Sequence, residues 1–465
     1  MADSTAPSSL LCGLINAANR YLTAEPFRFQ VVATGSVLRP RQVWGLLGQG
    51  EEGGQRLHLL SALQRFLAAD PNGKVTCDQE SPGPGALFLL RQYPDGKVSL
   101  QCELSQRYLG GAEDNVTCFA QTVGEGEKWS LHLAQHPNVH LLNPGKQRYV
   151  RCDQQTGHLR CDRDLPWGPD ALITLHFDLK EKKYGLQTGA GSLLAADGTL
   201  QAEPSPHTLY SLELRGSLLA LRYADGRYLT GREGTVKAFK TDKPGRDELF
   251  ALEPSMAQVS LRTCAGGRFI SCRPGKQGRV GNVGLHQEGT TCWPSILTST
   301  QDKGVWFSLQ YQEQKVTLRT VDNRYVATRP NGQLLLVPEA AGKMEEFLLM
   351  LVNRPLLILQ SDAGFVGLFP GTQRLDGNRP AYDASVLMFS EDGFCHFIVG
   401  EKYWSLDKDG LVMASGDRPS DFTLQFVSSS CLVLKAPNRK YLVAEAGGRL
   451  WAGAVDAASA TPFRY

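Results

Sequence analysis

Few stretches of this chain carry residue types at spacings that do chemistry, and the first is Gly48-Gln49-Gly50-Glu51-Glu52-Gly53. It spells G-x-G-x-x-G, the turn that lets backbone approach a dinucleotide pyrophosphate at a helix N-terminus. Here it lies in an acidic loop with no helical pattern after it, so no nucleotide site is expected. Asp407-Lys408-Asp409-Gly410 echoes a calcium loop but lacks the downstream Glu, and a hairpin turn accounts for it better. His132, His136 and His140 are four apart, as helical metal ligands would be. Strand patterning and Pro137 break the helix that would align them. No H-E-x-x-H, phosphate-binding loop, G-x-S-x-G elbow or zinc-ligand spacing occurs. A chain with no catalytic residue, no metal and no cofactor is expected.

What remains is charge. The formal net charge is only +2, so no global field advertises a polyanion such as nucleic acid, and electrostatic binding must come from local patches. Lys237, Lys240, Lys243 and Arg246 form the densest run, spaced three apart after the turn at Gly234. Arg39 with Arg41, and Lys146 with Arg148, form two further pairs, and Arg329 precedes the turn Pro330-Asn331-Gly332. A solvated loop is the plainer account of each. Arg148, beside an aromatic residue, reads equally well as a snorkelling structural side chain.

The compartment follows from cysteines and hydropathy. Eleven cysteines, an odd number without a C-x-x-C pair, follow a polar start from Met1 to Pro7 that is no signal peptide. Reduced buried thiols are therefore expected, not a disulfide framework. The most apolar stretch, Phe347 to Leu359, is interrupted by Asn353, Arg354 and Pro355. It cannot cross a bilayer core of roughly 30 Å. The expectation is a soluble cytosolic protein with no membrane insertion.

The elements that must position these cations come from a repeat. A basic or Gly residue, an aromatic and a branched apolar residue recur, as in Arg20-Tyr21-Leu22, Arg65-Phe66-Leu67, Arg107-Tyr108-Leu109 and Arg148-Tyr149-Val150. The pattern continues through Arg227-Tyr228-Leu229, Arg268-Phe269-Ile270, Arg324-Tyr325-Val326 and Gly364-Phe365-Val366 to Lys402-Tyr403-Trp404 and Lys440-Tyr441-Leu442, with a degenerate Ser192-Leu193-Leu194. Most spacings lie near 40 residues. Each copy reads as an alternating strand, a polar turn and the anchor strand. A Gly turn such as Asn72-Gly73 or Asp409-Gly410 and a closing alternation such as Trp44-x-Leu46 follow. The anchor aromatics read as core. Helical patterning is nearly absent, so the class is all-β.

A four-strand unit of this size cannot bury its apolar face alone. Eleven units exceed the usual four to eight blades of a propeller, whereas grouping by three gives domains of about 120 residues. Four tandem β-trefoils are expected, the third incomplete.

At this point the sequence resembles the fascin family over essentially its whole length. The resemblance is carried by Gly13-Leu14-Ile15-Asn16 with Arg20-Tyr21-Leu22-Thr23-Ala24-Glu25, by Cys118-Phe119-Ala120-Gln121-Thr122-Val123, and by Pro166-Trp167-Gly168. Leu172-Ile173-Thr174-Leu175, Asp247-Glu248-Leu249-Phe250 and Asn353-Arg354-Pro355 add to it. What it implies is a monomer of four β-trefoils that cross-links F-actin into parallel bundles, in the cytoplasm, the actin cytoskeleton and cell protrusions. The filament-binding candidates are then Arg39, Arg41, Lys146, Arg148, Lys237, Lys240, Lys243, Arg246 and Arg329. The domains expected are a disordered start at 1–10 and trefoils at 11–136, 137–255, 256–351 (short one repeat) and 352–465. Rival readings are a scaffold binding actin on one face only, and a β-trefoil lectin, for which Gln42-Val43-Trp44 supplies a single Q-x-W string.

Three departures stand out. From Phe269 to Tyr325 there are 56 residues where two periods need about 80, and Arg273 to Asp302 matches the repeat poorly. The family's phosphorylatable segment reads Ser36-Val37-Leu38-Arg39-Pro40-Arg41, with Val37 at the usual Ser, leaving Ser36 as the substitute phosphorylation candidate. In the last trefoil, positions where the resemblance implies cations are Ala363, Phe369, Val443 and Trp451.

Overall fold

The computed structural model describes residues 10–48, 56–111, 114–232, 234–274, 280–286, 307–339 and 342–465. The expected disordered start (all but residue 10), most of the G-x-G-x-x-G string and much of Arg273 to Asp302 lie outside them. Strands dominate the described residues, and the helical pieces there are three-residue 3-10 turns. The chain divides into two compact units, residues 1–255 with 362–364, and 256–361 with 365–465.

In the first unit, strands Leu10–Ile15, Trp44–Gly48, Arg56–Ser61, Phe88–Gln92, Lys97–Cys102 and Trp129–Leu133 pair antiparallel in a ring. Closure of the ring removes every free edge. Three hairpins cap the barrel: Tyr21–Ala24 with Val31–Gly35, Phe66–Ala69 with Val75–Gln79, and Tyr108–Gly110 with Thr117–Ala120. They meet through the bridges Gln30 to Thr76, Val32 to Asn115 and Lys74 to Thr117. A six-strand barrel with a three-hairpin cap is a β-trefoil.

Strands between Asn138 and Pro254 repeat the plan. Asn138–Asn143 pairs with both Ile173–Asp178 and Ala251–Pro254, and the bridges Tyr184 to Tyr210 and Leu219 to Phe250 complete the ring. One core runs through both barrels. The Tyr184 hydroxyl donates to the Leu131 carbonyl (2.9 Å) and accepts from the Leu133 N–H (2.8 Å), while the Gln92 carboxamide bonds both backbone groups of Leu214 at 2.6 Å. The Tyr184 bonds are buried and the Gln92 bonds partly buried, and together they join the two trefoils.

In the second unit, the strands from Leu356 to Arg464 close in the same way around Phe397, Trp404, Phe422 and Phe463. The described strands ahead of them record no closed ring. Among the described residues, Val259–Thr263, Phe307–Gln312, Lys315–Thr320 and Phe347–Leu351 form an open row, with hairpins only from Phe269 and from Tyr325. The buried hydrophobic cluster among the described residues there is Val316, Val326, Phe347 and Leu349.

The repeat grammar has a conformational cause. The residue two before an anchor takes the left-handed region: Asn19 (φ 60°), Gln64 (58°), Gln106 (54°), Gln147 (52°), Asn323 (63°) and Arg439 (64°). That turn delivers the anchor strand, and the pairing register shifts at Tyr21, Phe66, Tyr108, Tyr149, Phe365, Tyr403 and Tyr441. Each shift is a bulge, which re-aims successive side chains. The aromatic anchor is consequently not always the deepest residue. Phe66 and Tyr149 are only half-buried, whereas Leu67, Val150 and Leu22 have no exposure. The branched residue fills the barrel, and the aromatic packs beside it.

The cysteines follow the core. Cys12, Cys77, Cys102, Cys118, Cys161 and Cys395 are buried and unbonded among the nine described cysteines. Burial pushes the Cys12 thiol up to about 12.

Candidate functional site

The basic loops are set by backbone turns and by a few buried amides. In the first trefoil, Arg39 and Arg41 flank Pro40 in the 3-10 turn Pro40–Gln42, which leads into the barrel strand Trp44–Gly48. Gln42 is buried: its Oε1 accepts the Arg39 N–H at 3.1 Å and its Nε2 donates to Thr23 Oγ1 at 3.1 Å. The Q-x-W glutamine is thus spent on the turn. A Cβ on Gly13 would lie 2.6 Å from Leu38 Cδ1 and 2.9 Å from the Tyr21 ring, so only glycine lets Leu38 seat the segment. Arg41 pairs with Glu25 at 3.2 Å. Arg39 and Ser36 are exposed, and among the described residues Arg39 has no ion pair.

In the second trefoil the organiser is Asn143, fully buried at the end of its barrel strand. Its Nδ2 donates to the carbonyls of Arg246 (3.1 Å), Asp247 (3.1 Å) and Leu249 (3.2 Å), while its Oδ1 accepts the Lys146 N–H at 2.9 Å. One carboxamide therefore ties two basic segments together. A Cβ on Gly145 would stand 2.9 Å from the Arg246 carbonyl, so the close approach requires glycine.

The cations there divide by use. Lys146 Nζ donates to the carbonyls of Gly231 (2.5 Å) and Arg232 (2.6 Å), clipping that turn. Arg148 pairs with Asp164 at 2.5 Å. Arg232, absent from the expected set, pairs with Asp247 and buried Glu248 at 3.4 Å each and lies over the Phe239 ring. Lys237 is half-buried on Lys237–Phe239. Lys240, Lys243 and Arg246 are exposed, and among the described residues none of them has an ion pair. In the second unit Arg329 is exposed at the turn closed by Gly332 (φ 88°), with its N–H donating to the Gln333 carbonyl at 2.9 Å.

The last trefoil keeps cations that sequence reading missed. Phe369 lies under Arg374 (4.6 Å) and Arg379 (5.8 Å), and Trp451 lies under Arg449 (4.4 Å). Arg374 also forms a two-point pair with buried Asp376 at 2.8 and 3.1 Å. The aromatic residues at expected cation positions are platforms for neighbouring arginines. Their signal in the sequence is an Arg two to ten residues from each aromatic, which is too loose to read without the fold.

The other chemistry-bearing residues are structural. Asp407 Oδ1 accepts the N–H groups of Asp409 (2.9 Å) and Leu411 (2.8 Å) in a turn with Gly410 at φ 79°. His132 Nδ1 meets the Tyr21 hydroxyl at 2.8 Å and stacks on Phe177 at 4.0 Å. Burial holds its pKa down at about 3, so it is neutral. His140 meets the Ala171 carbonyl and the Ser255 hydroxyl at 3.0 Å each. Among the described residues no cluster of three or more His, Cys, Asp or Glu could hold a metal, and no helix is long and apolar enough to cross a membrane.

The fold and its loops define a class: tandem β-trefoils that present separate basic loops on barrel ends. A sequence model of the fascin domain matches residues 18–131 and 145–252. Fascin-2 of Mus musculus is 36% identical over 470 aligned residues, covering 95% of each chain. Fascin-2 of Homo sapiens is 36% identical over 481, covering 97% of each. Fascin of Strongylocentrotus purpuratus is 29% identical over 480, covering 93% of each. Among solved structures, a designed three-fold symmetric protein, ThreeFoil, aligns with 26% of this chain and 97% of its own at 17% identity and TM-score 0.24. The chain belongs to the fascin family.

Proposed function

We propose that this protein binds actin filaments as a monomer in the cytoplasm and cross-links them into parallel bundles, without catalysis. An actin filament presents acidic surface, and cross-linking needs separate basic patches on a stiff frame. The observation that carries the reading is the set of exposed cations on different trefoils that have no ion pair among the described residues: Arg39 on the first, and Lys240, Lys243 and Arg246 on the second. Arg329 adds a cation in the second unit, where domain limits of 256–351 and 352–465 are taken for the short third and complete fourth trefoils. The limits in the first unit are taken as 11–136 and 137–255. Arg41, Lys146 and Arg148 also brace those loops through their bonds to Glu25, to the Gly231 and Arg232 carbonyls and to Asp164, and Lys237 stays among the filament-binding candidates.

Paired sedimentation of filaments with the full chain tests this. The proposal expects actin in the low-speed pellet, as bundles. Pelleting confined to the high-speed spin would support the one-face scaffold, a reading favoured by the open strand row around Phe347 and Leu349. No co-pelleting at low salt would remove actin as partner.

A further inference from the structure

The cap of the last trefoil surrounds a recess that the filament-binding reading does not use. Its hairpins return along the strands Leu375–Arg379, Val412–Gly416 and Leu450–Ala454. They meet through the bridges Arg374 to Met413, Asp376 to Arg449 and Leu411 to Trp451. The recess among them has a volume of about 520 Å³ and is lined by Arg374, Asp409, Leu411, Gly447 and Arg449. A Cβ on Gly447 would meet nothing within 4 Å, so that wall stands clear of neighbouring atoms.

Both arginines are held in place for an incoming group. Arg374 gives Nε and Nη2 to buried Asp376 at 2.8 and 3.1 Å and lies over the Phe369 ring, which fixes its head and leaves Nη1 for a ligand. Burying a carboxylate is costly unless it is paired, so Asp376 commits that orientation firmly. Arg449 is exposed, lies over the Trp451 ring at 4.4 Å and has no ion pair among the described residues.

The first trefoil gives an independent check. Its cap is joined by the matching bridges Gln30 to Thr76, Val32 to Asn115 and Lys74 to Thr117. Gln30, Val32 and Asn115 therefore occupy the places of Arg374, Asp376 and Arg449. Two amides and an apolar residue close a cap perfectly well there, so the charged set is no requirement of the fold.

The charges also say what would fit. Two guanidinium forks suit a tetrahedral phosphate, which offers more oxygens than one fork can use, whereas a carboxylate is satisfied by a single fork. Asp409 is exposed on the opposite wall, and among the described residues its carboxylate has no ion pair. With Asp376 and Asp409 balancing the two arginines, a bare anion gains little, but hydroxyl groups beside the phosphate would donate to Asp409. We propose that this recess binds a small phosphate monoester of a polyol, with Arg374 and Arg449 on the phosphate and Asp409 on the hydroxyls. The site is independent of filament binding. A soluble polyol phosphate and the headgroup of a phosphorylated inositol lipid share this chemistry.

Calorimetric titration of the full chain with myo-inositol monophosphate tests this. The expected result is a single site, with inorganic phosphate and glucuronate each binding at least about tenfold more weakly and unphosphorylated myo-inositol giving no heat. Arg449→Ala should keep the parent's melting temperature and lose at least about tenfold in affinity. Asp409→Ala should erase the preference over inorganic phosphate. Flotation with phosphatidylcholine vesicles, with and without phosphatidylinositol phosphate, then separates the sources. Flotation only with the phosphorylated lipid assigns the headgroup, and soluble binding without flotation assigns the free polyol phosphate. No heat with myo-inositol monophosphate, equal affinity for inorganic phosphate, or parent-like binding by Arg449→Ala would overturn the proposal.

Discussion

The side-chain amide of Asn143 donates to the main-chain carbonyl of Arg246 at 3.1 Å, across 103 residues of sequence. A barrel strand of the second trefoil thereby fixes the position of an exposed cation. Asn143→Ala would remove the amide donor from the carbonyls of Arg246, Asp247 and Leu249 and the acceptor from the Lys146 N–H. The expected loss is about 1–3 kcal/mol, read as a lower calorimetric melting temperature of the first unit. Hydrogen exchange should rise around 245–249 first. An unchanged melting temperature would show that the loop holds itself.

Lys146 and Lys240 should behave differently although both are lysines on the same trefoil. Lys146 Nζ saturates the Gly231 and Arg232 carbonyls, so Lys146→Ala is expected to cost about 1–3 kcal/mol of stability. Lys240 has no such partner, and Lys240→Ala should stay within about 0.5 kcal/mol of the parent. Its effect belongs in filament affinity. Reversing Lys240, Lys243 and Arg246 together to Glu should weaken co-sedimentation at least about fivefold at low salt, with the gap narrowing as salt rises. A salt-independent gap would mean a folding defect.

Stability should fall with acid through His132. Its folded pKa, about 3, lies below the ordinary histidine value of 6.5 because burial disfavours the charged ring. Between those values the unfolded chain binds the extra proton, so stability is fully present above about pH 6.5 and is lost as pH drops. The slope is up to about 1.4 kcal/mol per pH unit for this one group. Melting curves of the parent and of His132→Asn between pH ~6 and ~4 check it. Equal slopes would place the acid sensitivity elsewhere.

How much of this was legible beforehand depends on range. The Asn72-Gly73 turn, the Asp407 hairpin and the anchor strands are local, so residue type and spacing reveal them. The irregular spacing between Phe269 and Tyr325 was visible too, although most of that stretch lies outside the described residues. Lys146 was not, because its acceptors are main-chain carbonyls 85 and 86 residues away, which no side-chain pattern announces. Nor were Arg374, Arg379 and Arg449: loss of cations at Phe369 and Trp451 was visible, but the arginines stacked over those rings needed the hairpins in place. The bulges were hidden for a related reason. They set which of two adjacent apolar residues points inward, and the sequence shows only that both are apolar.

The open strand row should be the first part to unfold. Its buried cluster among the described residues is Val316, Val326, Phe347 and Leu349, against the continuous core shared by the first two barrels. Native-state hydrogen exchange should show amides of Lys315–Thr320 opening at lower free energy than those of Arg56–Ser61. Phe347→Ala, expected to cost about 3–5 kcal/mol, should melt that row alone. Loss of protection in the first two barrels as well would show the units to be cooperative.

Two cationic faces on one stiff chain are the heart of the account, so each face should be disabled separately. Filaments would be mixed with the parent, with Arg39→Glu, and with the Lys240, Lys243 and Arg246 triple reversal, then imaged and spun at both speeds. The account predicts bundles with the parent, and for each variant filaments that still carry bound protein yet remain largely single. Filaments left single by excess parent protein, or bundled equally well by both variants, would contradict it.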